Sequence, residues 1–230
     1  MSSIVTFIGW HDSGKTTLAS GVVTELKKRG YRVAVIKSSN DSGIRFDNPG
    51  TDTYKHMHAG ADGVLLVAPD QIVLQAGKSD LSLRTLAHRY FPDVDIVIGE
   101  GFKTERKTAK IEVCRNSDQQ LRQKVHGVIA VATDLEGIVG DYIFRLDEAK
   151  EIAAFIEKRF LLREDGGVEV AALLLNGNKI PIKTYIQEAL AGTVYGFVKT
   201  LKINEDIKDI ELRIKIDNTS ISKHSSKNKT

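Results

Sequence analysis

One cysteine, Cys114, stands in 230 residues, so no intrachain disulfide can form and no cysteine pair is available to anchor a structural zinc site. A reducing compartment is the expectation. No apolar run approaches the roughly 18 residues of a membrane-spanning helix. Met-Ser-Ser leads into a short apolar stretch without a basic segment before it, so neither an export signal nor a membrane anchor is expected and the reading is cytoplasmic. A charge excess is also missing from the body of the chain. Lys plus Arg number 33 against 30 Asp plus Glu, but Lys223, Lys227 and Lys229 lie in the last thirteen residues, which contain no acid. Without those three the balance is even. A basic tail of Ser, Asn and Lys is too polar to pack, and it does not amount to a nucleic-acid-binding face.

What is present is an alternation of short apolar runs and helical patterns. Residues 4–8 are apolar and end at Gly9, and residues 16–29 place Leu18, Val22, Val23 and Leu26 at helical spacing before Gly30. Residues 32–37 read as a second strand, which completes a βαβ unit. Residues 38–50 form a polar loop, after which Thr51 is placed to cap a short helix through His58. Residues 63–68 and 71–76 read as two strands reversing at Pro69-Asp70, a local antiparallel pair. A helix at 83–90, strands at 95–99, 110–113 and 127–132, and a helix at 148–160 follow. The expectation is an α/β domain with a doubly wound, mostly parallel sheet over residues 1–163. Residues 162–167 read as a linker. A small α+β unit is expected over 168–217, with a strand at 168–175, a turn at Asn176-Gly177, a helix at 185–201 and a strand in which Ile210, Leu212, Ile214 and Ile216 alternate. Residues 218–230 are expected to be a disordered basic tail.

The chemistry concentrates in Gly9-Trp10-His11-Asp12-Ser13-Gly14-Lys15-Thr16, a Gly-x4-Gly-Lys-Thr phosphate-binding loop between a strand and a helix. Glycine lets the backbone curl so that successive N–H groups point at phosphate oxygens, and the following helix adds its N-terminal dipole. Lys15 is assigned to the β and γ phosphates and the Thr16 hydroxyl to Mg²⁺. His11, Asp12 and Ser13 line the loop, and Thr17 is a secondary contact. Such a site needs an acid near the metal, at the carboxyl end of a neighbouring strand. Asp95 and Glu100 bracket one strand and lie roughly 16 Å apart, so they cannot both serve. Glu100, at the carboxyl end, takes the metal-shell or water-positioning role and forms the candidate catalytic pair with Lys15.

Lys37, Asp47 and Asp52 fall on the side where nucleotides bind; each reads first as a solvated loop or helix-cap residue, and Lys37 and Asp52 are carried as nucleotide contacts. His56 and His58 are two apart on one helix, the wrong spacing for shared metal ligation, and read as structural. Cys114 reads as a buried small hydrophobe. No Asn-Lys-x-Asp occurs in the chain. Asp134, after the strand at 128–132, is placed where a carboxylate accepts the two N–H donors of guanine, and equally where it caps a turn.

The P-loop, Val35-Ile36-Lys37, the segment Asp52-Thr53-Tyr54-Lys55-His56-Met57-His58-Ala59-Gly60-Ala61, Glu100-Gly101-Phe102-Lys103 and Lys110-Ile111-Glu112-Val113-Cys114-Arg115 occur in that order. Together they resemble the molybdopterin-guanine dinucleotide biosynthesis protein B (MobB) family of P-loop NTPases, over residues 4–160. The resemblance implies a GTP- and Mg²⁺-binding protein, usually a homodimer. It implies weak GTPase activity at most, and an adaptor role assisting the guanylyltransferase that joins GMP to molybdopterin, with molybdopterin or a molybdoenzyme as further partners. It also implies a parallel sheet augmented by antiparallel strands, with Gly14, Lys15 and Thr16 on phosphate and metal and Glu100 in the site. Two positions depart from the pattern: Ser38-Ser39-Asn40 where histidine often follows the lysine, and Ala109 where proline often precedes Lys-Ile-Glu-Val. The alternatives from other classes are a P-loop small-molecule kinase, which needs lid arginines, and a GTPase metallochaperone, which needs a soft-ligand site.

Overall fold

The computed structural model describes residues 2–45, 47–77, 80–162, 170–175, 178–180, 182–203 and 206–214. The first compact unit, Met1–Pro181, is built on a six-stranded sheet in the order β2-β5-β1-β6-β7-β8. Its strands are β1 (Ser3–Ile8), β2 (Val33–Lys37), β5 (Ile96–Glu100), β6 (Ala109–Val113), β7 (Val128–Ala132) and β8 (Ile143–Phe144), and each neighbouring pair is parallel. The crossover from β1 through helix α1 (Lys15–Lys28) to β2 passes over β5, which lies between them and pairs with both. The first βαβ unit is therefore not a pair of adjacent strands. Insertion of β5 puts the carboxyl ends of β1, β2 and β5 side by side, which is the end where P-loop chemistry is arranged.

Side chains alternate across the pleat. Val5 and Phe7 of β1, Ile96 and Ile98 of β5, Ile111 and Val113 of β6, and Ala130 and Ala132 of β7 share one core with Leu18, Val22 and Leu26 of α1. Ile152 and Ile156 of α4 (Ala149–Ile156) complete it. The opposite face buries Ala34 and Val97 against Ala87 of α3 (Leu83–Tyr90). Both faces of the sheet are covered, as continuous apolar strands require. At the end of α4 the expected helix to residue 160 changes form: Glu157–Leu161 continue as a π-helical turn, where Glu157 binds the Arg29 guanidinium at 2.5 Å and the Tyr31 hydroxyl at 3.0 Å.

Between β2 and β5 the chain leaves the sheet. Thr51 caps α2 (Asp52–His58), its side chain accepting from the Tyr54 N–H, and α2 leads to β3 (Gly63–Val67) and β4 (Ile72–Ala76). These strands pair antiparallel, with Leu65 opposite Leu74 and Val67 opposite Ile72, and form a separate two-stranded ribbon. A second short ribbon joins β9 (Leu173–Leu175) to β10 (Asn178–Ile180). It belongs to the first compact unit, whose boundary falls at Pro181. The second unit, Ile182–Thr230, contains helix α5 (Thr184–Val198), which forms despite Gly192 and Gly196.

Residues 206–214 form no strand, which corrects the alternation expected around Ile210 to Ile214. A strand needs a partner edge to satisfy its N–H and C=O groups, and α5 offers none. Residues 163–167 of the expected linker at 162–167, the Asn176-Gly177 turn, Ile216 and the tail at 218–230 lie outside the described residues. Among the described residues no helix is long and apolar enough to cross a membrane.

Candidate functional site

The P-loop sits where the sequence put it, between the end of β1 and the start of α1. Its curl depends on two glycines. A Cβ on Gly9 would lie 2.5 Å from both Ser13 Oγ and the Val113 carbonyl oxygen, and Gly14 adopts a left-handed φ of 89° at the head of α1. Asp12 also takes a positive φ, 56°. Ser13 is buried, and its N–H donates to the Trp10 carbonyl at 3.3 Å. Lys15 folds over the loop, donating to the Trp10 carbonyl and, at 3.4 Å, to Ser13 Oγ. Burial lowers its pKa from the usual lysine range; the nearby Lys103 ammonium adds to the shift, while Glu100 and Asp12 oppose it.

Glu100 is the residue around which the site closes. It ends β5, where it registers with Phe7 of β1 and Lys37 of β2, and it is 7% exposed. Thr16 Oγ1 donates to Glu100 Oε1 at 2.6 Å, and Lys37 Nζ lies 3.2 Å from the same oxygen. The hydroxyl and the carboxylate are hard oxygen donors converging at the carboxyl end of the sheet, the donor set that suits Mg²⁺. Asp95, at the other end of β5, accepts from the Arg32 N–H at 2.7 Å and holds the start of β2. Hydrogen bonds and the Arg32 charge keep its carboxyl below the usual range.

The remaining sequence candidates separate. His11 and Asp12 are paired at 2.7 Å on the exposed rim, and Thr17 is exposed in the first turn of α1. Asp52 pairs with Lys55 of its own helix at 2.9 Å. Asp47 accepts from the Thr51 and Thr53 hydroxyls, which lower its pKa, Thr53 most. Asp134 accepts from the Leu146 N–H at 3.2 Å and lies 3.9 Å from Arg145. His58 packs edge-on against Tyr54. Cys114 is buried, and burial raises its pKa.

Two cations quoted among the sequence motifs were given no site role there. Arg115 Nε donates to the Ser13 carbonyl at 3.1 Å, and its guanidinium covers Gly14. Lys103 lies over the Trp10 ring, 4.7 Å from its centre. Arg115 immediately follows the Cys114 that extends β6, and β6 pairs with β1; position after a strand neighbouring the P-loop strand was the available signal. The charges of Lys-Ile-Glu-Val do structural work instead. Lys110 is fully buried and donates to the Glu105 and Thr108 carbonyls, and Glu112 accepts from the Leu121 and Arg122 N–H groups. A concavity of about 60 Å³ lies between Trp10, Ser13, Cys114 and Arg115. A larger one, about 380 Å³, is lined by Arg122, His126, Gly140 and Tyr142 and contains no P-loop residue; volume alone does not make it the site.

Known proteins are similar to this chain in sequence and fold. The chain is 29% identical over 163 residues to the molybdopterin-guanine dinucleotide biosynthesis adapter protein of Escherichia coli, covering 68% of this chain and 92% of that one. A putative adapter protein of the same description from Methanocaldococcus jannaschii is 24% identical over 242 aligned positions, covering 93% of this chain and 97% of that one. The latter alignment therefore takes in much of the sequence beyond residue 167. A crystal structure of molybdopterin-guanine biosynthesis protein B superposes with a TM-score of 0.56 at 31% identity, over 67% of this chain and 98% of that one. The profile of the family described as molybdopterin guanine dinucleotide synthesis protein B matches residues 4–134, from the first apolar strand to Asp134. The chain belongs to the molybdopterin guanine dinucleotide synthesis protein B family.

Proposed function

We propose that this chain is a GTP-binding adaptor of molybdopterin-guanine dinucleotide synthesis, which holds the nucleotide for a guanylyltransferase rather than consuming it. The observation that carries the nucleotide site is the convergence of Lys15 and Thr16 with the buried Glu100 at the carboxyl end of the sheet; the adaptor role rests on the family. In this reading the P-loop N–H groups and Lys15 grip the phosphates, and Thr16 and Glu100 would hold Mg²⁺, which would supply charge neutralisation to the triphosphate. Asp134 is the group assigned to the guanine edge.

Homodimerisation is part of the proposal. On the β3–β4 ribbon Leu65, Leu66, Val67, Ile72, Val73 and Leu74 are all exposed. An isolated two-stranded ribbon apolar on both faces is poorly stable in water, and a contiguous patch of this kind marks an interface. A second copy supplies an identical ribbon.

The test compares GTP and ATP affinity, with Mg²⁺, for wild type, Lys15→Ala and Asp134→Ala, beside the rate of molybdopterin guanylylation with and without the chain. Preference for GTP that Asp134→Ala erases, binding that Lys15→Ala removes, and faster guanylylation support the proposal. Equal binding of GTP and ATP with no effect on guanylylation would sink it.

A further inference from the structure

The oxygen of Glu100 that faces Thr16 is already shared. Thr16 Oγ1 donates to Oε1 at 2.6 Å, and Lys37 Nζ stands 3.2 Å from that same atom. The register Lys37↔Glu100 places the two residues side by side at the ends of β2 and β5, so the ammonium stands within reach of the carboxylate. The two partners differ in freedom. The Glu100 side chain is 10% exposed, whereas that of Lys37 is 58% exposed. A buried carboxylate with a solvent-facing ammonium against it is an anion with a retractable counterion.

A divalent cation held by Thr16 and Glu100 would sit beside the carboxylate oxygen that Lys37 addresses. It also has to settle beside a fixed positive charge in a site where Lys15 and Lys103 already contribute two more. Coulomb repulsion in such a partly desolvated place is several-fold stronger than in bulk water. An ammonium at that point nevertheless supplies what the phosphates of a nucleotide need most, which is positive charge and N–H donors.

We infer that Lys37 is a built-in stand-in for the divalent cation: it neutralises Glu100 in the free protein, swings to the nucleoside triphosphate on binding, and makes that binding largely independent of Mg²⁺. This inference rests on the nucleotide-binding reading above and specifies how that site manages charge. It also supplies a reason for holding over hydrolysis, because an ammonium carries half the charge of Mg²⁺ and has no open coordination positions to orient water.

The experiment measures GTP affinity by titration calorimetry in excess Mg²⁺ and in EDTA for wild type, Lys37→Met, Lys37→Arg and Lys15→Ala, with thermal melts to establish folding. For wild type the two affinities are expected to agree within about threefold, and Lys37→Met is expected to lose about tenfold or more in EDTA only, the scale of one charge-assisted contact. Lys37→Arg, which keeps the charge, is expected to restore metal-free binding. With Mn²⁺ as an electron-spin-resonance probe, the GTP complex of Lys37→Met is expected to hold the ion more tightly than wild type. A wild type that loses GTP by about tenfold or more in EDTA, or a Lys37→Met whose metal dependence matches wild type, overturns the inference while leaving the nucleotide site intact. If wild type binds GTP in neither condition and matches Lys15→Ala, the nucleotide reading itself fails and the inference falls with it.

Discussion

The Thr16 hydroxyl donates to the Glu100 carboxylate at 2.6 Å across 84 positions of sequence. One residue stands in the first turn of α1 and the other ends β5, and the contact exists because β5 is inserted beside β1. Thr16→Val keeps the shape and removes the donor. The expected result is a melting temperature lowered by a few degrees, because the buried carboxylate loses a hydrogen bond worth about 1 kcal/mol, with GTP affinity in Mg²⁺ staying within about threefold of wild type by calorimetry.

Gly9→Ala places a methyl group where Ser13 Oγ and the Val113 carbonyl stand, each 2.5 Å away. One neighbour is backbone of β6, so the loop must open. Destabilisation of about 1–3 kcal/mol is expected in urea unfolding, the range of overpacking a closed core, together with GTP binding too weak to measure. A variant with wild-type affinity would show that the loop curl is not what grips phosphate.

Glu112 is 1% exposed and accepts two backbone N–H groups, from Leu121 and Arg122. Glu112→Ala leaves both donors buried without their acceptor. A loss of about 2–4 kcal/mol in unfolding free energy is expected, while Glu112→Gln, which keeps one acceptor oxygen, retains part of it. Equal stability of all three proteins would remove the structural role assigned to this carboxylate.

Leu65 and Leu74 face each other across the β3–β4 ribbon and are 56% and 45% exposed. If the ribbon is the dimer surface, Leu65→Glu buries a charge against the second copy. Light scattering behind size exclusion is expected to give twice the chain mass for wild type and the single chain mass for Leu65→Glu. A monomeric wild type at high concentration contradicts the assignment.

Burial raises the Cys114 pKa, and its thiol donates to the Asn116 carbonyl at 3.2 Å. A raised pKa means less thiolate at any given pH below it, so modification by a disulfide reagent is expected to be slow at pH 8 and to accelerate only as the pH climbs beyond the ordinary thiol range. Denaturant should expose the thiol to immediate, stoichiometric reaction. Rapid labelling of the folded protein at pH 8 would place Cys114 outside the core.

The P-loop was fully legible from sequence because its constraints are local: glycines at fixed spacing, a lysine and a threonine, a strand before and a helix after. The Thr51 cap, the Pro69-Asp70 reversal and the helix at 83–90 were legible for the same reason. Glu100 was reachable by one further step, since the carboxyl end of a strand is a position that can be counted. The alternating residues 210–214 misled because period-two patterning expresses a preference for pairing, and pairing requires an edge that lies elsewhere in the chain.

The sequence by itself determined that a Gly-x4-Gly-Lys-Thr loop stands at the head of α1 and that an acid waits at the end of a buried strand. Only the tertiary structure decided the strand order, and with it which side chains meet. By inserting β5 between β1 and β2, it set Lys37 and Thr16 on one oxygen of Glu100, and by pairing β6 with β1 it brought Arg115 onto the Ser13 carbonyl. These contacts join residues tens of positions apart. Nothing local specifies them, because they are fixed by which hydrophobic faces pack and which edges pair once the whole chain has collapsed.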